Sequence, residues 1–190
     1  MEKLTEFLEN PPEHYNVAFV PTAADPYQDR GFVEADRKAL VKAGFKVIDL
    51  DIKGKTKTRL LNELKAFNLV FVAGGNSFYL LQEAKRAGFD LAVKQLVSKG
   101  VIYVGSSAGA VIAGSDIEMV KYLDNPEKAP LLKEYKGLGL VDKLILPHYG
   151  NTKYTEGYLK MLKEFPDSTK QIKIGELEAI TFNNGIMKIV

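Results

Sequence analysis

Val101-Ile-Tyr-Val-Gly-Ser-Ser-Ala-Gly-Ala-Val-Ile-Ala-Gly114 changes character twice within fourteen residues. Four β-prone apolar residues lead into Gly105-Ser106-Ser107-Ala108-Gly109, and a run of small apolar residues from Ala110 follows without a breaker. The stretch reads as strand, sharp turn and helix, with Ser107 on the turn. It matches the nucleophile-elbow pattern G-x-S-x-G. Glycines two positions before and after the serine suit such a turn, because a Cβ there would meet the neighbouring strand or helix. An ordinary β–α turn is the plainer reading. The buried strand before it and the small-residue helix after it favour a serine nucleophile.

Outward from this stretch, strands and helices alternate. Apolar runs predict strands at 16–21, 45–50 and 69–73, with that of the elbow at 101–104. Periodic segments predict helices at 3–9, 30–43, 56–67, 77–87 and 90–98. Short strands alternating with helices imply βαβ units and a mostly parallel sheet, buried on both faces. Ligands in such a sheet bind at the C-terminal strand ends. Asp25, Gly74-Gly75-Asn76 and Ser107 all fall there.

Beyond the elbow, 116–122 reads as a short strand. Residues 123–139, rich in charge, proline and glycine, read as a long loop over the active-site face. A buried strand at 144–147 delivers His148, a helix covers 153–165, and strands at 172–174, 179–182 and 186–190 close the chain. Asn184-Gly185 signals a hairpin between the last two. No repeat or linker divides the 190 residues, so one domain spanning 1–190 is expected.

Composition narrows the chemistry. A net charge of +2 gives no electrostatic case for nucleic acid or an anionic membrane. The absence of cysteine removes disulfides and thiolate chemistry, and fits a cytoplasmic protein. No apolar run approaches the ~20 residues of a membrane span. Two distant histidines without a carboxylate cluster give no metal site, and Gly74-Gly75-Asn76 matches neither common nucleotide-binding fingerprint, so no cofactor is expected.

A serine nucleophile needs a base and an orienting acid. His14 lies in a polar loop, which leaves His148. Asp116, Glu118 and Asp124 lie between serine and histidine, in the order usual for elbow hydrolases, and each is equally readable as a solvated loop charge. Gly74-Gly75-Asn76 reads as a glycine-rich β–α turn, as a phosphate cradle, or as the source of a backbone N–H that forms an oxyanion hole with that of Ala108, the residue after the nucleophile.

Together, Val72–Leu81, Tyr103–Ala110 and Leu146–Tyr149 resemble the peptidase E (aspartyl dipeptidase) family of serine peptidases over about residues 16–160. The resemblance implies a class I glutamine amidotransferase-like fold, a three-layer αβα sandwich with a mostly parallel central sheet. It implies Ser107 as nucleophile, His148 as base, and Gly75 with Ala108 as oxyanion donors. Asp124 of Leu123-Asp-Asn-Pro126 matches the family acid, with Glu118 as the alternate. The implied activity is hydrolysis of short peptides, including Asp-Xaa dipeptides, through an acyl-enzyme in a homodimer. An esterase, an isopeptidase or a silent binding protein of the same fold are the alternatives. Two departures stand out. No counterpart of the strand that usually opens the family precedes the first helix, so either the sheet lacks that strand or the sequence starts downstream of it. The arginine-bearing segment after the histidine is replaced by Asn151-Thr-Lys-Tyr-Thr-Glu156, which leaves Lys153, with Asn76, to bind substrate.

Overall fold

The computed structural model describes residues 2–166, 170–183 and 185–190. Four parallel strands, β1 (Asn16–Val20), β2 (Lys46–Asp49), β3 (Leu69–Val72) and β4 (Ile102–Gly105), form a sheet in the order β2-β1-β3-β4. Each strand of the central pair divides its side chains between two cores. Val17, Phe19, Leu69 and Phe71 face α2 (Gly31–Lys42), whose Val33 and Leu40 cover them. Ala18, Val20, Val70 and Val72 face α3 (Lys57–Leu64), α4 (Ser77–Ala87), α5 (Phe89–Val97) and α6 (Ala108–Ala113). Alternation along a strand thus produces helices on both faces, as continuous apolar runs predict for a parallel sheet. The short α1 (Glu2–Phe7) joins the α2 side through Leu4.

The chain runs from central β1 out to β2, then crosses to β3 and β4 on the other side. The winding therefore reverses between β1 and β3, and a crevice opens beyond their C-terminal ends. Gly75 closes that end of β3. Its φ is +142°, and an added Cβ would overlap the carbonyl of Ala23, just past β1.

A second parallel pair, β5 (Leu144–Leu146) with β6 (Gln171–Lys173), lies against α6, with α7 (Thr155–Glu164) between them in the chain. Their register aligns Leu146 with Lys173, so both strands end at the same level. Antiparallel β7 (Ile180–Asn183) and β8 (Ile186–Ile189) form the expected C-terminal hairpin. Asn184 lies outside the described residues; Gly185 has the positive φ that the turn needs.

The strand expected at 116–122 does not form. Asp116 makes one antiparallel bridge to Lys136, and Glu118–Tyr122 is a 3-10 helix. The Asp116 carboxylate accepts from the Glu118 N–H two residues on. Such a local bond competes with a ladder and turns the chain. The loop after it is docked along α4: Asn125 C=O accepts from Asn76 Nδ2, and Leu131 N–H donates to Gln82 Oε1.

The elbow glycines are fixed by space rather than by φ. A Cβ on Gly105 would overlap the backbone of Gly109, and one on Gly109 would overlap the Val72 carbonyl. Gly109→Ala is therefore expected to destabilise the protein by about 1–3 kcal/mol in urea unfolding, although alanine is the better helix former by about 1 kcal/mol.

Candidate active site

Ser107 follows β4 with φ 48° and ψ −109°, a strained conformation for a residue with a side chain. The turn lifts its hydroxyl out of the sheet toward β5. His148, two residues beyond β5, also has a positive φ, 66°. Ser107 Oγ lies 2.8 Å from His148 Nε2. On the other side of the ring, Nδ1 lies 2.9 Å from Glu176 Oε1. A carboxylate can only accept, so Nδ1 carries the proton and Nε2 is left to accept from the serine hydroxyl.

Glu176 stands three residues beyond β6, beside the histidine beyond β5. The hydrogen-bond partner of His148 Nδ1 is therefore none of Asp116, Glu118 and Asp124, the acids that lie between serine and histidine. Asp124 Oδ2 accepts from the Ser77 N–H at 2.8 Å, at the start of α4. Glu118 begins the 3-10 helix and binds Asp116 through its backbone. Reading along the chain in the order serine, acid, histidine excluded Glu176, which follows the histidine. The signal that could have found it is spatial: if 144–147 and 172–174 pair in parallel, the polar residues just past each end must meet.

The two carboxyl groups differ in character. Burial raises the pKa of Asp124 above the usual carboxylate range, opposed by hydrogen bonds from Ser77 and by the field of His148. That of Glu176 is lowered, chiefly by the amide of Asn151, which together with His148 outweighs the opposing effect of burial. The His148 ring is also covered. Tyr154 stacks on it, with centroids 4.7 Å apart and planes within 10°.

The remaining expected site residues fall into two groups. Neither the Gly75 N–H nor the Ala108 N–H donates to a backbone carbonyl among the described residues, so both remain available at the crevice. Asn76, by contrast, is fully buried and committed to the protein. Its Oδ1 caps α4 through the Tyr79 N–H at 2.8 Å, and its Nδ2 binds Asn125 C=O at 3.0 Å. This is a helix cap rather than a free substrate contact. Lys153 is exposed, with Nζ 5.4 Å from the centroid of the Tyr154 ring.

Peptidase family S51 matches the chain over residues 1–190. The "Uncharacterized peptidase Lin0382" of Listeria innocua is 38% identical over 176 residues, covering 93% of this chain and 84% of its own. Peptidase E of Streptomyces coelicolor is 34% identical over 170 residues, covering 87% and 65%. The 1.5 Å crystal structure of a candidate peptidase E from Listeria monocytogenes superposes with a TM-score of 0.91 at 35% identity, covering 100% of this chain and 91% of that one. A peptidase from an acI-B1 actinobacterium shares the fold, with a TM-score of 0.67 at 18% identity. The chain belongs to peptidase family S51.

The Asp124 environment has a consequence for stability. A carboxyl that holds its proton more tightly folded than unfolded favours the fold when protonated, and loses that contribution as pH rises through its folded-state pKa. Asp124→Asn keeps an acceptor for Ser77 and removes the charge. Its melting temperature should therefore rise relative to wild type as pH increases from about 4, by roughly 2–4 °C for each kcal/mol recovered. Calorimetry of both proteins across that range checks it.

Proposed function

We propose, from its membership of peptidase family S51, that the protein is a serine peptidase working through Ser107, His148 and Glu176 on short peptides. The observation that carries this reading is the hydrogen-bonded chain from Ser107 Oγ through both ring nitrogens of His148 to Glu176. It is the arrangement that activates a serine hydroxyl, with each donor and acceptor already oriented.

Ser107 Oγ attacks the scissile carbonyl carbon and its proton passes to His148 Nε2. The imidazolium so formed is stabilised by Glu176, which stays ionised. Charge developing on the carbonyl oxygen is met by the N–H groups of Gly75 and Ala108. The tetrahedral intermediate collapses, Nε2 gives its proton to the leaving amine, and an acyl-Ser107 enzyme remains. Water then attacks the ester, losing a proton to Nε2, and a second collapse releases the acid and restores the serine.

Substrate preference belongs to the rim. Lys153, beside the tyrosine that covers His148, is the cation we assign to an acidic substrate side chain, which gives a preference for Asp-Xaa dipeptides. An ammonium offers a single charge rather than the two-pronged grip of arginine, so this preference should be shallower than arginine would give. A homodimer in the cytoplasm completes the proposal.

Ser107→Ala should abolish hydrolysis and fluorophosphonate labelling while leaving the melting curve unchanged. Persistence of either reaction at Ser107-independent full rate would refute the nucleophile. The acid is tested separately. Glu176→Gln should lower kcat by up to about 10⁴-fold, the scale seen when a triad acid becomes its amide. Asp124→Asn should cost at least about tenfold less on the same substrates. The reverse ranking would return the acid to Asp124. A panel of Asp-Xaa dipeptides, other dipeptides and p-nitrophenyl esters measures preference, and Lys153→Ala should narrow the gap between the first two by about tenfold, the worth of a charged hydrogen bond.

A further inference from the structure

Glu176 has a weakness as an orienting acid: its side chain is 48% exposed. Burial therefore does not fix its rotamer, and water competes for its oxygens. What holds it is Asn151. The Asn151 Nδ2 donates to Glu176 Oε1 at 2.5 Å, the same oxygen that faces His148 Nδ1. The other end of that amide and the backbone are used as well. Asn151 Oδ1 accepts from the Lys153 N–H at 2.9 Å, capping the 3-10 helix Thr152–Tyr154. Its N–H donates to the His148 carbonyl at 3.1 Å, and its carbonyl accepts from the Tyr154 N–H. The capped turn is what places Tyr154 flat on the His148 ring.

We propose that Asn151 is a positioning residue for the catalytic pair. One face of its amide aims Glu176 at His148, and the other builds the turn that lays Tyr154 over the ring. The proposal rests on the peptidase reading, and its test does not depend on turnover alone. Asn151 is well suited to both tasks, since its side chain supplies a donor and an acceptor at once. An aspartate would keep the cap and lose the donor. A serine would keep a cap and be too short to reach the carboxylate.

Among the described residues, the charged and titratable groups around the pair include Lys153, whose Nζ lies 5.4 Å from the centroid of the Tyr154 ring. His148 faces Ser107, Glu176 and Tyr154, and feels Asp124 from the α4 side. Glu176 faces His148 and Asn151, and lies within the field of Tyr154. A change at Asn151 should therefore be read out at His148. The chain has only two histidines, so the His148 ring can be followed by NMR as pH is varied.

Asn151→Ser leaves Glu176 without its donor, so the carboxylate is less well held against Nδ1 and the imidazolium is less stabilised. The His148 midpoint should fall, and kcat/KM should drop by about tenfold to a hundredfold, the worth of a hydrogen bond to a charged group. Asn151→Asp sets a second carboxylate beside Glu176, which favours the imidazolium. The His148 midpoint and the acidic limb of kcat/KM should then both move to higher pH, with a loss of similar size at neutral pH. Shifts of opposite sign, with unchanged thermal unfolding, are the expected result. A His148 midpoint unmoved in both variants, with kcat/KM within about twofold of wild type, would overturn the proposal. If the wild-type protein hydrolysed no peptide and its serine resisted fluorophosphonate, the peptidase reading would fail, and the His148 titration would still decide whether Asn151 holds the pair.

Discussion

The backbone at Ser107 is the constraint on which the site depends. A side-chain-bearing residue with φ 48° is unfavourable, and it persists only where its surroundings admit no alternative. Here the surroundings are Gly105 and Gly109, packed so closely that neither tolerates a Cβ, and Gly74, whose own Cβ would sit 3.2 Å from that of Ser107. Strand β3, strand β4 and helix α6 are thus brought to backbone contact around one residue. The four-stranded sheet is the platform that makes such an approach rigid, because its central strands are buried on both faces.

The second half of the chemistry comes from a different piece of structure. His148 and Glu176 stand at neighbouring ends of the β5–β6 pair, while Ser107 stands on the main sheet. Helix α6 joins the two, since it begins at the nucleophile and packs against β5. His148 also has a left-handed backbone, so the turn after β5 sends its ring back toward α6 rather than onward with the chain. Two residues with positive φ, meeting at the N-terminal end of α6, set the serine–histidine distance. That distance is a product of tertiary packing, and no local segment determines it.

This division explains what could be read from the sequence. Ser107, its glycines and the βα rhythm before it are local patterns, and local patterns are legible. His148 was legible because a chain with two histidines leaves little choice. The partner acid was not, because order along the chain carries no information about which strand ends are neighbours. The segment 116–122 failed for a similar reason. Its residues suit a strand, yet the Asp116 side chain supplies a hydrogen bond that a propensity count omits. Asn76 looked like a ligand because it follows two glycines, although that same position is where a helix needs its cap.

Two carboxylates near one imidazole raise the question of which does the work, and proximity alone does not answer it. A triad acid must remain ionised while the histidine cycles between neutral and charged forms, so its proton affinity has to be low. Burial of Asp124 favours its protonated form and outweighs the hydrogen bonds from Ser77 that favour the charged one. Glu176 sits in a wetter position and receives the Asn151 amide, which favours its charged form. Exposure, which makes Glu176 look the poorer catalytic residue, is therefore part of what suits it, provided that something other than burial fixes its direction. Asp124, in turn, satisfies the first N–H of α4 and ties the long loop to the helix that begins beside Gly75. Asp124 is thus bonded into the wall of the crevice, and Glu176 is the carboxylate that lies against His148 Nδ1.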